Sequence, residues 1–186
     1  MKNLPQNTVI EKQSLWGWRL FDDSLEASNV PALKQLPELS PIADPIESLK
    51  RALLSAPTSH QKREAALELR KHGQPAVAAL IDVIRLGDEA AQVLAAYSLR
   101  VIGQLATADL VDAVLYDEPV VRQKSIWILY SIGGEQAVGP LIDALQDEYP
   151  KTRRYAAWSL GYLQAAEAIP YLVEALNDSH DKVRFD

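Results

Sequence analysis

The chain contains no cysteine. That absence excludes a disulfide scaffold, a thiolate-held zinc or iron–sulfur cluster, and a thiol nucleophile. Phenylalanine occurs twice in 186 residues. No run approaches the roughly 18 uncharged apolar residues of a membrane helix. The N-terminal stretch, MKNLPQNTVIEKQ, lacks the apolar core of a signal peptide. A soluble, cytoplasmic protein with no membrane role is the expectation. Positive charge is also short: 19 Lys and Arg stand against 25 Asp and Glu, for a formal net charge of −6. An acidic total argues against a protein that wraps nucleic acid with its whole surface. Alanine (25) and leucine (26) are abundant, and with few β-branched residues beside them they point to helices.

Proline marks the first division. Pro5, Pro31, Pro37, Pro41 and Pro45 are five of the eleven prolines and fall in the first 45 residues. From Asp44 onward the sequence is periodic. Residues 1–43 are therefore read as an N-terminal extension and 44–186 as the organised body. Within the extension, Trp16, Trp18, Leu20 and Phe21 suit a short amphipathic helix that caps the body.

The body repeats itself. Ser125–Asp147 superposes on Ala156–Asp178 with an offset of 31, so that Trp127 meets Trp158, Leu129 meets Leu160 and Leu141 meets Leu172. Further back the period is 30, with Ala95–Gly103 over Ala65–Gly73. Each unit holds two helical patterns, and Gly73, Gly103 and Gly133–Gly134 follow three of the second ones, where left-handed C-caps belong. Asp44-Pro45-Ile46-Glu47 and Thr58 with Gln61 read as capping boxes. Pro140 and Pro170 sit in first helical turns, where a missing N–H costs little. A two-helix unit of this length cannot bury its apolar face alone, whereas stacked copies can. The expected fold is all-α, a right-handed α-α superhelix of about four and a half two-helix repeats. DSHDKVRFD begins a fifth second helix and stops after one turn. The expectation is either a piece of a longer array or an end covered by a partner or second copy.

Arg122, Arg153 and Arg184 recur at one repeat position, which Lys62 and Gln92 fill earlier. Asp117, Asp147 and Asp178 precede the second helices, while Asp82, Asp112, Asp143 and Glu174 recur on the first. Acids spaced one per repeat predict an Asp–Arg ladder stitching neighbouring turns, not a pair of carboxylates converging for acid–base catalysis. His60, His72 and His180 share no metal-ligand spacing, no Gly-rich phosphate loop occurs, and no nucleophile elbow is present. No catalytic and no metal-binding residue is predicted.

Number each second helix so that its repeat Arg is position 2. Positions 1, 5, 8, 9 and 12 form the predicted buried arc, and positions 3, 7 and 10 lie opposite. That opposite stripe reads Arg63, Leu67, Arg70; Val93, Tyr97, Arg100; Gln123, Trp127, Tyr130; Arg154, Trp158, Gly161, with Tyr155 and Tyr162 flanking the last unit. It contains four rings, four arginines and no acid. The predicted binding residues are therefore Trp158, Trp127, Tyr97, Tyr155, Tyr162, Tyr130, Arg154, Arg100, Arg70 and Arg63. Rings with arginine are typical interface anchors, and they also suit a flat conjugated anion. The competing reading packs the rings sideways between second helices, into space left by Ala66, Ala96 and Ala157.

The Asp-x4-Val/Thr-Arg turn (Asp147 to Arg153, Asp178 to Arg184), the AA-x-x-L second helix and the A-[VI]-x-x-L first helix resemble HEAT repeats of the phycobilisome-lyase subtype, over roughly residues 44–186. RRYAAWSLGYL (Arg153–Leu163) is similar to the Tyr/Trp-rich helix of phycobilin lyases. The resemblance implies a module that assists attachment of a linear tetrapyrrole to phycobiliprotein cysteines, or acts as a chaperone for those proteins. It implies Trp158, Trp127, Tyr155 and Arg154 facing pigment or partner, with the substrate's cysteine as nucleophile and no tightly bound cofactor. A phycobiliprotein subunit, a second lyase subunit or a homodimer are the implied partners. The alternative is a non-catalytic adaptor holding a helix or peptide in a concave groove. A DNA-glycosylase-like role is disfavoured by the acidic total.

Overall fold

The computed structural model describes residues 44–184. The expected capping helix around Trp16–Phe21 lies outside the described residues. Among the described residues the regular structure is helical, and the helices come in pairs. These are α1 (Pro45–Ser55) with α2 (Ser59–Lys71), α3 (Val77–Leu86) with α4 (Glu89–Ile102), and α5 (Thr107–Tyr116) with α6 (Pro119–Ile132). Then follow α7 (Val138–Asp143) with α8 (Pro150–Tyr162), and α9 (Ile169–Ala175) with the single turn α10 (Asp181–Arg184). A short 3₁₀ turn leads into each first helix from α3 onward.

The pairs stack into two layers. First helices neighbour one another in the order α1, α3, α5, α7, and second helices in the order α2, α4, α6, α8, α10. Between the layers run the fully buried Leu53, Leu69, Leu80, Leu99, Leu110, Leu129, Leu141 and Leu160. Each such leucine contributes about 1.5–3 kcal/mol of burial free energy, and they fall one on each helix from α1 to α8. In α4, α6 and α8 the predicted arc holds at positions 1, 5, 8 and 9, while position 12 (Ile102, Ile132, Leu163) is half-buried. Position 6 is buried as well, at Ala66, Ala96, Ile126 and Ala157. In α2 the arc departs from expectation, because Gln61 is exposed and Glu68 half-buried at the start of the array.

Helix ends follow local chemistry. Thr58 Oγ1 accepts from the Gln61 N–H at 3.2 Å, as a capping residue should. Asp44 instead accepts from the Ile46 N–H at 3.0 Å, and the Glu47 carboxylate sits 2.8 Å from Lys50 rather than closing a box. Gly73, Gly103 and Gly133 end their helices with φ of +64°, +70° and +75°, and ψ values of −135°, −137° and 175° place them close to a region open essentially only to glycine.

The fourth repeat lacks that glycine. Gln164 stands one repeat after Gly133 and takes φ of +54°, the positive-φ non-glycine among the described residues. A left-handed conformation costs an L-residue about 1–2 kcal/mol. Gln164→Gly is expected to raise stability by roughly 1 kcal/mol, or a few degrees in midpoint. Thermal denaturation followed by circular dichroism checks this; an unchanged or lowered midpoint contradicts it.

Candidate functional site

The repeat arginines form the predicted ladder. Arg122 reaches forward to Asp147 at 2.8 Å and back, through Nη1, to the Asp117 carbonyl at 2.9 Å. Arg153 clamps Asp178 with two bonds of 2.7 and 2.8 Å and donates to the Asp147 carbonyl at 2.8 Å. Arg184 donates to the Asp178 carbonyl at 2.8 Å. At the start of the array Lys62 pairs with Asp88. Gln92 cannot supply a charge to Asp117, and the vacancy is filled from the other layer: Arg85 of α3 bonds both Asp117 oxygens and also Asp82. Sequence spacing alone does not reveal this substitution, because Arg85 has no counterpart at its repeat position.

The ladder carries a pH signature. Lys62 and the Ala91 N–H hold Asp88 below the usual carboxylate range. Burial opposes ionisation of Asp117, but Arg85 and the Glu118 N–H outweigh it and lower its pKa. Arg153 lowers Asp178 despite burial. Each depressed pKa adds stability that is present above the unfolded value of about 3.9 and is lost as pH falls below it. The urea midpoint is expected to be flat with respect to these groups above about pH 5 and to fall steeply below about pH 4. Asp117→Asn is expected to be less stable at pH 7 and to fall less steeply on acidification. Parallel curves for both proteins would contradict the assignment.

The face opposite the core carries the predicted stripe. Arg63 and Arg70 on α2, Tyr97 on α4, Trp127 and Tyr130 on α6, and Arg154 and Tyr155 on α8 are half-buried, whereas Arg100 is exposed. Trp158 and Tyr162 are 37% and 50% exposed. Four rings meet. Tyr130 approaches Trp158 at 4.7 Å and Tyr162 at 5.0 Å, both edge-on, and Trp127 at 6.1 Å. Trp158 stacks on Tyr162 at 5.6 Å. The rings therefore do bridge α6 and α8 sideways, yet leave two of their number open to solvent. Such edge-to-face and stacked pairs add about 0.5–1.5 kcal/mol each beyond burial.

Charge completes the face. Arg100 lies 5.0 Å over the Tyr97 ring, and Lys151 lies 5.8 Å over Tyr155. Burial raises the Tyr130 phenol above its ordinary range, with Arg100 acting in the opposite direction. Tyr155 is thus engaged by Lys151, and Arg63 and Arg70 sit on α2, two helices before the ring cluster. Gly161, at stripe position 10, adds no ring, and Tyr162 one residue later joins the cluster instead.

The opposite side of the array is acidic. A hollow of about 300 Å³ between α3 and α5 is lined by Asp82, Arg85, Asp109, Asp112, Tyr116 and Asp117. Four aspartates thus gather on the first-helix side of the array. His60 and His72 are exposed, and His180 lies beside Asp181 at 3.3 Å with its side chain 43% exposed. Among the described residues no group of histidines and acids is placed to hold a metal, and no helix is long and apolar enough to cross a membrane. Stripe reasoning missed Lys124 of α6. It stands at position 4, on the flank between the stripe and the buried arc, where α4 carries the buried Leu94.

Residues 107–186 match the family model of HEAT repeats. Among solved structures, the complex of CpcE and CpcF of phycocyanin lyase from Nostoc sp. PCC7120 is similar at 22% identity and a TM-score of 0.50. That similarity covers 83% of this chain and 66% of that one, so the chain spans just under two thirds of its length. A designed armadillo repeat protein in complex with the peptide (KR)4 aligns at 17% identity and a TM-score of 0.44, over 75% of this chain and 77% of that chain. No curated protein matches. At these identities the likeness is one of fold. The helix pairs before Thr107 repeat the unit that is matched after it, and the described residues form an all-α solenoid of HEAT-like repeats.

Proposed function

We propose that the second-helix face holds a protein partner, and that this partner is a phycobiliprotein subunit whose bilin attachment or handling the chain assists. The observation that carries the proposal is the cluster of Trp127, Tyr130, Trp158 and Tyr162, packed enough to be rigid and still open to solvent. Stacked repeats present extended binding surfaces, and preordered rings lose little conformational entropy on contact. The phycobiliprotein reading adds the resemblance of Arg153–Leu163 to lyase helices. A linear tetrapyrrole, with its conjugated plane and propionates, matches rings flanked by arginine. The reacting thiol would be the partner's own, consistent with a chain that has no cysteine.

Mixing the purified chain with an apo-phycobiliprotein and a linear tetrapyrrole, and following absorption and complex formation, tests this. A complex with a spectral change is expected. A complex without any effect on the pigment favours the adaptor reading, in which the same face holds a helix. Absence of any complex overturns the phycobiliprotein assignment.

A further inference from the structure

Lys124 is a packed lysine that the ladder and the ring cluster leave without a carboxylate. It lies half-buried on α6, one turn before Trp127. Among the described residues no acid forms an ion pair with it. Burial lowers the pKa of its ammonium, Glu89 of α4 favours the charge from a distance, and Lys151 of α8 opposes it. Other packed lysines are treated differently. Lys62 has Asp88, and Lys50 has Glu47 at 2.8 Å and Asp82 at 3.2 Å. Withdrawing an ammonium from water without a counter-charge is unfavourable, and an arriving anion reverses that term. The next second helix places Tyr155 at the same repeat position, with the Lys151 ammonium over its ring. Lys151 is thus the second ammonium acting on Lys124, while the acids lining the hollow at Asp109 and Asp112 lie on the other layer.

We infer that Lys124 is the socket for a carboxylate carried by the protein partner, an amphipathic helix whose apolar side covers the ring cluster and whose acidic flank reaches Lys124 and Lys151. The inference rests on the proposed use of the second-helix face and adds the charge and shape of what binds there. Complementary charge sets orientation and partner choice more than raw affinity. An acidic flank is drawn to this face and repelled by the acid-lined side, so one docking orientation is selected.

The test uses three synthetic amphipathic helices that share one Leu/Phe side and carry Glu, Gln or Lys on the other. They are titrated into the full chain with Trp16 and Trp18 replaced by Phe, so that emission reports on Trp127 and Trp158. At low salt the Glu peptide is expected to bind about tenfold tighter than the Gln peptide. Lys124→Gln is expected to remove most of that advantage and leave the affinity for the Gln peptide unchanged. Lys124→Met, which keeps the apolar stem, is expected to behave alike and guards against a packing artefact. Equal affinity for the Glu and Gln peptides, or a Glu advantage that survives both substitutions, overturns the socket and leaves the face intact as a binding surface. No emission change with any peptide overturns the face and the socket together. Lys124-dependent binding of biliverdin without a Glu-peptide preference assigns the carboxylate to a pigment and overturns the helix.

Discussion

Asp147→Ala is expected to lower the thermal midpoint by roughly 10 °C, corresponding to about 3 kcal/mol. The Asp147 and Arg122 side chains are 9% and 13% exposed, so the pair is largely withdrawn from water. Its value lies less in the attraction itself than in what remains when one partner goes. The Arg122 guanidinium stays packed between two turns with only the exposed Glu148 carboxylate left to it, at 3.5 Å, beneath the Tyr149 ring at 5.3 Å. Asp147 also accepts the Tyr149 N–H at 2.8 Å at the start of α8, and that bond is lost too. The double variant Arg122→Met with Asp147→Ala is expected to recover part of the loss, because no charge is then left unpaired. In a linear array coupling runs between neighbours. The damage should therefore appear as early loss of hydrogen-exchange protection in α8 and beyond, with α3 and α4 protected at lower cost. A uniform loss of protection along the chain, or a midpoint shift below about 2 °C, would show that the ladder does not couple the repeats.

Trp158→Ala is expected to weaken partner binding by about 30-fold or more, the range of an interface hot spot of 2 kcal/mol. The indole offers one open face while Tyr130 and Tyr162 hold it in place. Removing it takes away contact area and releases both tyrosines. Some stability is lost as well, about 1–2 kcal/mol for two ring contacts, so binding must be measured well below the variant's midpoint. Tyr116 supplies the control. It is 83% exposed and lines the acidic hollow between α3 and α5. Tyr116→Ala is expected to leave affinity unchanged. A similar loss for both variants would mean that the partner does not choose between the two sides.

Much of the fold was legible because a repeat states its rules several times. The alternation of helix pairs, the glycine stops and the Arg–Asp ladder each recur at fixed offsets, so one reading is checked by the next. Exceptions were illegible where a residue outside the register took over. Arg85 serving Asp117 in place of Gln92 depends on the distance between two layers, which no spacing encodes. Gln164 at positive φ follows from its place in the register, yet nothing in its own chemistry announces it. The stripe of rings and arginines was placed on the outward face of the second helices from angle alone. Which rings touch depended on how closely α6 and α8 approach, and so Tyr162 rather than Gly161 completes the cluster. Lys124 was missed for a different reason. A lysine reads as a solvated charge, and only the folded array shows that this one is half-buried.

Hydrogen exchange on the full chain, with and without a saturating phycobiliprotein subunit, addresses the binding face most directly. Protection gained along α6 and α8 around Trp127, Tyr130 and Trp158, with α3 and α5 unchanged, is the expected result. Protection confined to α3 and α5 around the acidic hollow, or no change anywhere in the array, would contradict it.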